Sequence, residues 1–172
     1  MKRITITLFS ILFLTLLSAC GKSNELSDGT FLKYTISPAG EGQVFEFFDR
    51  NIEVASDGTV KLYCDDFEEA YCEEYPTAVI QLSDKEIDRL KALIIKNRSL
   101  WLQEDTSTDS CDGSYSYLTV YTRKGSHKTG GLNVDNKKFA AIEELLYDMA
   151  GEDFGNLISE VYVMQEQGYQ KK

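Results

Sequence analysis

The sequence has 172 residues, a formal net charge of −10 at pH 7 and 42% hydrophobic residues. This length suits one domain with a sizeable hydrophobic core. An acidic chain of this size repels phosphate backbones, which argues against nucleic-acid binding. Anionic lipid headgroups repel it too, so the folded part is not expected to adhere to a membrane by itself.

The first twenty residues have the organisation of a secretory leader. Lys2 and Arg3 precede the apolar run ITITLFSILFLTLL, and the small residues of SAC follow it. The run is shorter than the about 20 apolar residues that a transmembrane helix needs. A basic start, an apolar centre and small residues before a cleavage point are typical of a signal peptide. An uncleaved membrane anchor is the alternative.

The end of this leader, Leu17-Ser18-Ala19-Cys20, resembles the lipobox of bacterial lipoproteins. The resemblance implies cleavage before Cys20 and attachment of a diacylglycerol to its thiol. Two acyl chains hold a protein firmly on a membrane, because each buried methylene contributes about 0.8 kcal/mol. The implied location is the extracytoplasmic side of the cell membrane. An ordinary signal peptide with a chance cysteine is the alternative.

These features divide the chain into a signal peptide at residues 1–19, a short polar tether at 20–29 and a single domain at 30–172. Removal of the signal peptide leaves 153 residues with a net charge of −12, because the leader carries two basic residues and no acidic one. The nine tether residues after Cys20 span at most about 30 Å. The domain is therefore expected to contact whatever lies close to its membrane.

The first half of the domain is predicted to consist of strands followed by one helix. The runs TFLKYTIS, QVFEFFDRNIEVA, VKLYC and TAVIQL are rich in β-branched and aromatic residues. Asp57-Gly58 between two of these runs indicates a hairpin. Ser83 and Glu86 form a capping-box pattern at the start of a helix that runs to about residue 97. Its apolar residues recur at helical spacing, at Ile87, Leu90, Leu93 and Ile94.

The second half predicts a hairpin and then one or two helices. YSYLTVYTRK and HKTGGLNV are its strands, with Gly125 in the turn. Asp135 is expected to cap a helix that ends at Gly151, and a further helix is predicted from Phe154 onward. Strands grouped before helices indicate an α+β fold, an antiparallel β-sheet with two or three helices packed on one face. This order of elements resembles the small domains of unknown function on many bacterial lipoproteins.

Three cysteines remain if Cys20 is lipidated, and an extracytoplasmic location permits disulfides. Cys64 and Cys72 flank the polar segment DDFEEAY, which predicts a loop that leaves one strand and returns. A Cys64–Cys72 disulfide is the favoured pairing, with Cys111 left over. The alternative is that all three thiols stay reduced. His127 is the only histidine and no CxxC occurs, so no zinc site is expected.

The segment from Cys64 to Glu74 is the most acidic stretch, with six carboxylates in eleven residues. Carboxylates steer the approach of a cationic protein or peptide, and aromatic residues among them can anchor an interface. The alternative is solvated surface, because charge runs usually face water. The candidate interaction residues here are Asp65, Asp66, Phe67, Glu68, Glu69 and Tyr71.

Three tyrosines alternate with apolar residues in one predicted strand. Tyr115, Tyr117 and Tyr121 share one face, and Leu118 and Val120 share the other. If the apolar face points to the core, the tyrosines face outward, where this residue type is enriched at interfaces. They are candidate interaction residues. The alternative is a sheet face covered by neighbouring side chains.

The loop EDTSTDSCDGS offers a calcium candidate in Asp105, Asp109 and Asp112, because oxygen ligands on a loop suit this ion. The spacing departs from an EF-hand, since Ser110 stands where glycine is required and Ser116 where the last glutamate is. A solvated loop is the alternative. No cofactor is expected.

No sequence motif indicates catalysis. GxSxG, HExxH, P-loop and GxGxxG patterns are all absent. The sequence therefore favours a membrane-anchored lipoprotein whose α+β domain is a binding or interaction module. A small hydrolase with paired carboxylates is one alternative. An accessory solute-binding lipoprotein is another, although 153 residues are too few for the usual two-lobed clamp.

Overall fold

A computed structural model describes residues 25–39, 48–66, 75–103, 106–108 and 113–170. These ranges contain two α-helices, α1 (Asp84–Lys96) and α2 (Lys137–Gln170), and a 3-10 helix at Arg98–Leu102. They also contain six strands, which are β1 (Thr30–Ala39), β2 (Phe48–Ala55), β3 (Thr59–Asp66), β4 (Thr77–Gln81), β5 (Gly113–Thr122) and β6 (Gly125–Leu132).

The strands form one antiparallel sheet in the order β4-β3-β2-β1-β5-β6. The predicted hairpin at Asp57-Gly58 is confirmed, since β2 pairs with β3 across this turn. Gly58 has a φ of 87°, a conformation that glycine adopts readily. A Cβ at this position would lie 2.6 Å from the side chain of Ile87 in α1. The turn therefore requires glycine for its backbone and for the close approach of the helix.

One face of the sheet carries the hydrophobic core, and both helices pack on it. Alternate strand residues such as Leu32, Ile52, Leu62 and Leu118 are fully or almost fully buried there. The predicted α+β fold, with helices on one face of an antiparallel sheet, is confirmed. The helices bury on this face Ile87, Leu90, Ile94, Phe139, Ile142, Leu145, Leu146, Ala150, Phe154 and Leu157.

The start of α1 has the predicted capping box. The Ser83 side-chain oxygen accepts a hydrogen bond from the backbone N–H of Glu86 at 3.4 Å. The Glu86 carboxylate accepts one from the backbone N–H of Ser83 at 2.8 Å. Two donors that a helix start would leave unpaired are thereby satisfied.

The second helical region is one helix of 34 residues. The helix end expected at Gly151 is wrong, because the buried stripe continues through Ala150 and Phe154 without a break. A glycine inside a helix costs about 1 kcal/mol, whereas burying a phenylalanine contributes about 1.5–3 kcal/mol. The cap is Asn136 rather than Asp135, since its Oδ1 accepts from the backbone N–H of Lys138 at 3.0 Å. None of the helices in the described ranges combines the length and the hydrophobicity that a membrane span requires.

The chain enters the domain at the end of the sheet where β5 turns into β6. Leu26 bridges to Thr122, and the backbone N–H of Arg123 donates to the carbonyl of Glu25 at 3.0 Å. The Arg123 guanidinium pairs with Glu25 at 2.6 Å and with Asp28 at 3.0 Å. Part of the segment that the sequence assigns to the tether is therefore fastened to the sheet. We refer to these contacts as the entry clamp.

Candidate functional site

The face of the sheet turned away from α1 and α2 is the candidate site, and we call it the open face. Tyr115 and Tyr117 lie there at outward positions of β5, and Tyr121 follows on the same face. Tyr115 is 37% exposed, whereas Leu118 is buried on the helix side. Tyr63 of β3 shares the face, because the register aligns it through Asn51 and Thr35 with Tyr117.

The tyrosine rings of the open face are held in place by lysines and by each other. Lys128 Nζ lies 3.8 Å from the ring centroid of Tyr117, and Lys61 Nζ lies 4.6 Å from that of Tyr63. Each such cation–π contact contributes about 0.5–1 kcal/mol at an exposed site. The rings of Tyr115 and Tyr117 stack with centroids 6.2 Å apart and planes within 3°. The aromatic surface is therefore ordered before any partner arrives.

Tyr63 also belongs to a polar network on this face. Lys33 Nζ donates to the Tyr63 hydroxyl at 2.8 Å and lies 3.6 Å from Glu53. The Tyr63 hydroxyl in turn donates to Glu53. Burial, followed by this hydrogen bond, raises the pKa of Tyr63 far above its ordinary value. The hydroxyl thus stays protonated and acts as a fixed donor.

A pair of aspartates lies at one end of the open face. Asp49 and Asp65 are directly opposite each other on β2 and β3, where like charges repel. Asn51, which is 1% exposed, donates from Nδ2 to Asp65 at 3.1 Å and accepts from Thr35 Oγ1 at 2.8 Å. Asp49 Oδ1 is buried and has no hydrogen-bond donor among the described residues. Asp65 is exposed and Asp49 half-buried, so the pair offers carboxylate oxygens to a cationic group.

The register places this aspartate pair in line with Tyr115. Ser37 of β1 pairs with Tyr115 of β5, and continuing the β1–β2 register places Ser37 beside Asp49. Asp65, Asp49, Ser37 and Tyr115 thus form one row across four strands. We call this row the acidic row.

Several predicted site residues lie outside the described residues. They are Cys20, Phe67, Glu68, Glu69, Tyr71, Cys72, Asp105, Asp109, Cys111 and Asp112. Asp66 is the last residue of β3, and the structure describes its backbone. The interaction, disulfide and calcium hypotheses that depend on these residues stay predictions. Within the described ranges, no three His, Cys, Asp or Glu residues are placed to hold a metal ion.

Cys64 faces the helix side of the sheet. It packs with Phe48, Tyr75 and Val161 and is 6% exposed. Burial raises the pKa of its thiol to about 12, and the nearby Arg50 opposes that rise. The thiol is therefore protonated at neutral pH in the folded, reduced protein.

A buried polar link joins the sheet to α2. Tyr34 of β1 is fully buried and donates its hydroxyl to Glu143. Burial and this hydrogen bond raise the pKa of Tyr34 far above its ordinary value, so it remains a donor. The rings of Phe139 and Tyr147 pack edge-on against it, with centroids 6.4 and 6.2 Å away. The sequence pattern marks Tyr34 as one more strand residue and does not reveal this link.

A groove of about 380 Å³ lies between the two helices, on the other side of the domain from the open face. Arg89 and Lys96 of α1 line one wall, and Glu144 and Asp148 of α2 line the other. Among the described residues, none of these four charged side chains is in an ion pair. The groove floor is formed by Ala92, Leu93, Ala141 and Leu145.

No model of a known protein family matches the sequence, and no curated protein is significantly similar to it. The geometry of the open face therefore carries the functional inference.

The raised pKa of Cys64 predicts a specific loss of stability at high pH in the reduced protein. An unfolded thiol has a pKa of about 8.5, whereas the folded thiol has a pKa of about 12. Between these values the folded state retains a proton that the unfolded state has lost. The free energy of unfolding should thus fall as pH rises from about 9 to about 12.

Cys64→Val removes the titrating group and keeps a similar volume, so it is the matched control. Denaturant melts of both proteins, at pH 7 to 12, should diverge above about pH 9, with the variant losing less stability. Curves that stay parallel over the whole range would show that the thiol is not shielded.

Proposed function

We propose that the protein is a lipid-anchored binding module on the extracytoplasmic side of the cell membrane, and that its open face binds a cationic protein or peptide. The observation that carries the proposal is the acidic row, where the paired carboxylates of half-buried Asp49 and exposed Asp65 share a face with the exposed ring of Tyr115. Carboxylates and an ordered aromatic ring together suit an arginine or lysine side chain.

An arginine fits this arrangement best. Its planar guanidinium can stack on the Tyr115 ring while its N–H groups donate to a carboxylate such as Asp49. Hydrogen bonds between a guanidinium and a carboxylate are about twice as strong as neutral ones. The Lys33, Lys61 and Lys128 side chains lie on one row, two rows from the acidic row, so the face is acidic at one end and basic toward its middle. That polarity would fix the direction in which a partner binds.

The entry clamp supports an orientation for the anchored domain. Glu25 is fastened beside the β5–β6 turn, and Cys20 precedes it by five residues, which reach at most about 18 Å. The β2–β3 turn lies at the same end, because Ser56 N–H donates to the Gly29 carbonyl at 3.0 Å. With Cys20 in the lipid, this end faces the membrane. The acidic row then lies about 20 Å farther out, at the opposite end of β3.

The two alternative functions have different support. A paired-carboxylate hydrolase needs a cleft around its two carboxyl groups, and Asp65 is exposed on an open sheet surface. The accessory solute-binding alternative has one observation in its favour, the groove between α1 and α2. Its basic and acidic walls suit a small zwitterion, and its volume falls in the lower range of ligand pockets.

The anchor predicts that Cys20→Ala is not retained in membranes at the mature size. Without a thiol, no diacylglycerol can be attached. The variant should leave the membrane fraction of expressing cells, or remain there with its signal peptide uncleaved. Cys111→Ala is the matched control and should stay membrane-bound at the mature size. A Cys20→Ala protein that is membrane-bound at its mature size would refute the lipid anchor.

The open face predicts binding of an acetylated and amidated tetra-arginine peptide to the full-length protein in neutral detergent. Backbone NMR shifts should move at Asp49, Asn51 and Tyr115. The double variant Asp49→Asn, Asp65→Asn should weaken binding at least tenfold, because the acceptors lose their charge. Binding should also weaken from 0.1 to 1 M salt, since the screening length falls from about 10 to about 3 Å.

Two control variants on the groove test where the peptide binds. Glu144→Gln with Asp148→Asn removes the same charge from α2 and should leave the affinity unchanged. If these variants weaken binding as much as the aspartate pair does, or if the shifts cluster at Ala92 and Ala141, the open face is not the site and the groove is favoured.

A further inference from the structure

The two edge strands of the sheet differ in whether a described segment hydrogen-bonds to their outer side. Beyond β6, the backbone N–H groups of Thr106 and Thr108 donate to the carbonyls of Gly130 and Leu132, both at 2.9 Å. Ser107 Oγ accepts from the N–H of Leu132 at 3.0 Å. The segment 106–108 thus covers this edge. At the other edge lies β4, and no described segment pairs with its outer side.

The backbone groups that β4 turns outward can be identified from its hydrogen bonds. The N–H of Leu82 donates to the carbonyl of Gly58 at 3.0 Å, toward β3. Alternate residues of an antiparallel strand bond to the same neighbour, so Ile80 and Ala78 also bond to β3. The N–H and C=O groups of Thr77, Val79 and Gln81 therefore point away from the sheet.

The strand Thr77–Gln81 itself lacks the sequence features that usually protect an edge strand. Thr77–Gln81 contains no charged residue and no proline, and its register with β3 runs without a bulge. Val79 at its centre is 64% exposed on the open face. Natural sheets protect such edges with lysine, proline, bulges or a covering segment, because unpaired strands recruit other strands. An uncharged edge of regular register with an exposed apolar residue at its centre suits strand addition.

We infer that β4 is a docking edge that accepts an extended, uncharged strand of another protein as the seventh strand of the sheet. Main-chain hydrogen bonds to Thr77, Val79 and Gln81 would supply affinity. On the open face, the partner residue beside Val79 would be apolar or β-branched, because cross-strand pairs of this kind stabilise sheets. On the helix face, small or β-branched residues would pack beside the half-buried Ala78 and Ile80.

A second copy of this chain is the less suitable occupant. Antiparallel pairing of two β4 strands relates the copies by a twofold axis perpendicular to the sheet. The two entry clamps would then lie at opposite ends of the joined sheet, which prevents short tethers from reaching one membrane. This step rests on the proposed lipid anchor. Independently of the anchor, two chains of charge −10 or more negative repel each other.

Amide hydrogen exchange of the full-length protein in neutral detergent tests the docking edge. The probe is an acetylated and amidated seven-residue peptide of alternating threonine and valine, added at about 1 mM. The control peptide has proline at every valine position and cannot donate from these residues. With the probe, the amides of Thr77, Val79 and Gln81 should exchange at least tenfold more slowly, whereas the control peptide should have no effect.

Two proline variants separate the docking edge from the fold. Val79→Pro removes an outward N–H, so the protein should keep its fold and lose the protection by the probe. Ile80→Pro removes a hydrogen bond to β3 and should lower the thermal midpoint much more. If Val79→Pro unfolds as readily as Ile80→Pro, the assignment of the outward groups is wrong.

Two exchange results would overturn the inference. Unchanged exchange at all three amides with the probe would show that the edge does not accept a strand. If these amides are protected without the probe, and the protection increases with protein concentration, a second copy is the occupant. Asp49→Asn and Cys20→Ala leave β4 intact, so the probe should protect both variants as much as the unmodified protein. The docking edge can therefore fail this test while the proposed function stands.

Discussion

Burial of a single face of the sheet is the constraint on which the rest of the structure depends. Both helices pack against the residues that alternate with the outward ones, and the Tyr34–Glu143 hydrogen bond fastens α2 to the central strand β1 from inside that layer. A buried tyrosine hydroxyl without a partner would cost about 1–3 kcal/mol, so the helix must present Glu143 at this point. The outward strand residues therefore do not pack against the helices.

The open face carries aromatic and charged side chains that hold one another in place. Lysines lie over tyrosine rings, Asn51 bridges Thr35 and Asp65, and the Tyr115 and Tyr117 rings stack on each other. The entry clamp adds direction, because it fastens the chain beside the β5–β6 turn, at the end away from the acidic row. A strand that joined β4 would extend this same surface through Val79.

Local patterns in the sequence predicted the elements, since each depends on neighbouring residues. The Ser83–Glu86 capping box, the Asp57-Gly58 turn and the alternation of Tyr115 and Tyr117 with Leu118 are of this kind. Gly151 was misleading because a local helix-stop pattern cannot reveal that Phe154 is buried against the sheet. The acidic row escaped prediction because strand register joins residues far apart in sequence. Asp49 and Tyr115 meet on one row through β1, and Tyr34 meets Glu143 across 109 positions.

Hydroxyl-radical footprinting in native membranes tests the central claim, that the open face is the contact surface. Among the described residues, the exposed tyrosines on the two sides of the domain are Tyr115 on the open face and Tyr147 on the helix side, which are 37% and 42% exposed. In the purified protein both should be oxidised readily. In isolated membranes, oxidation of Tyr115 should fall at least threefold while that of Tyr147 is unchanged. Equal oxidation of Tyr115 in both preparations, or protection of Tyr147 alone, would contradict the account.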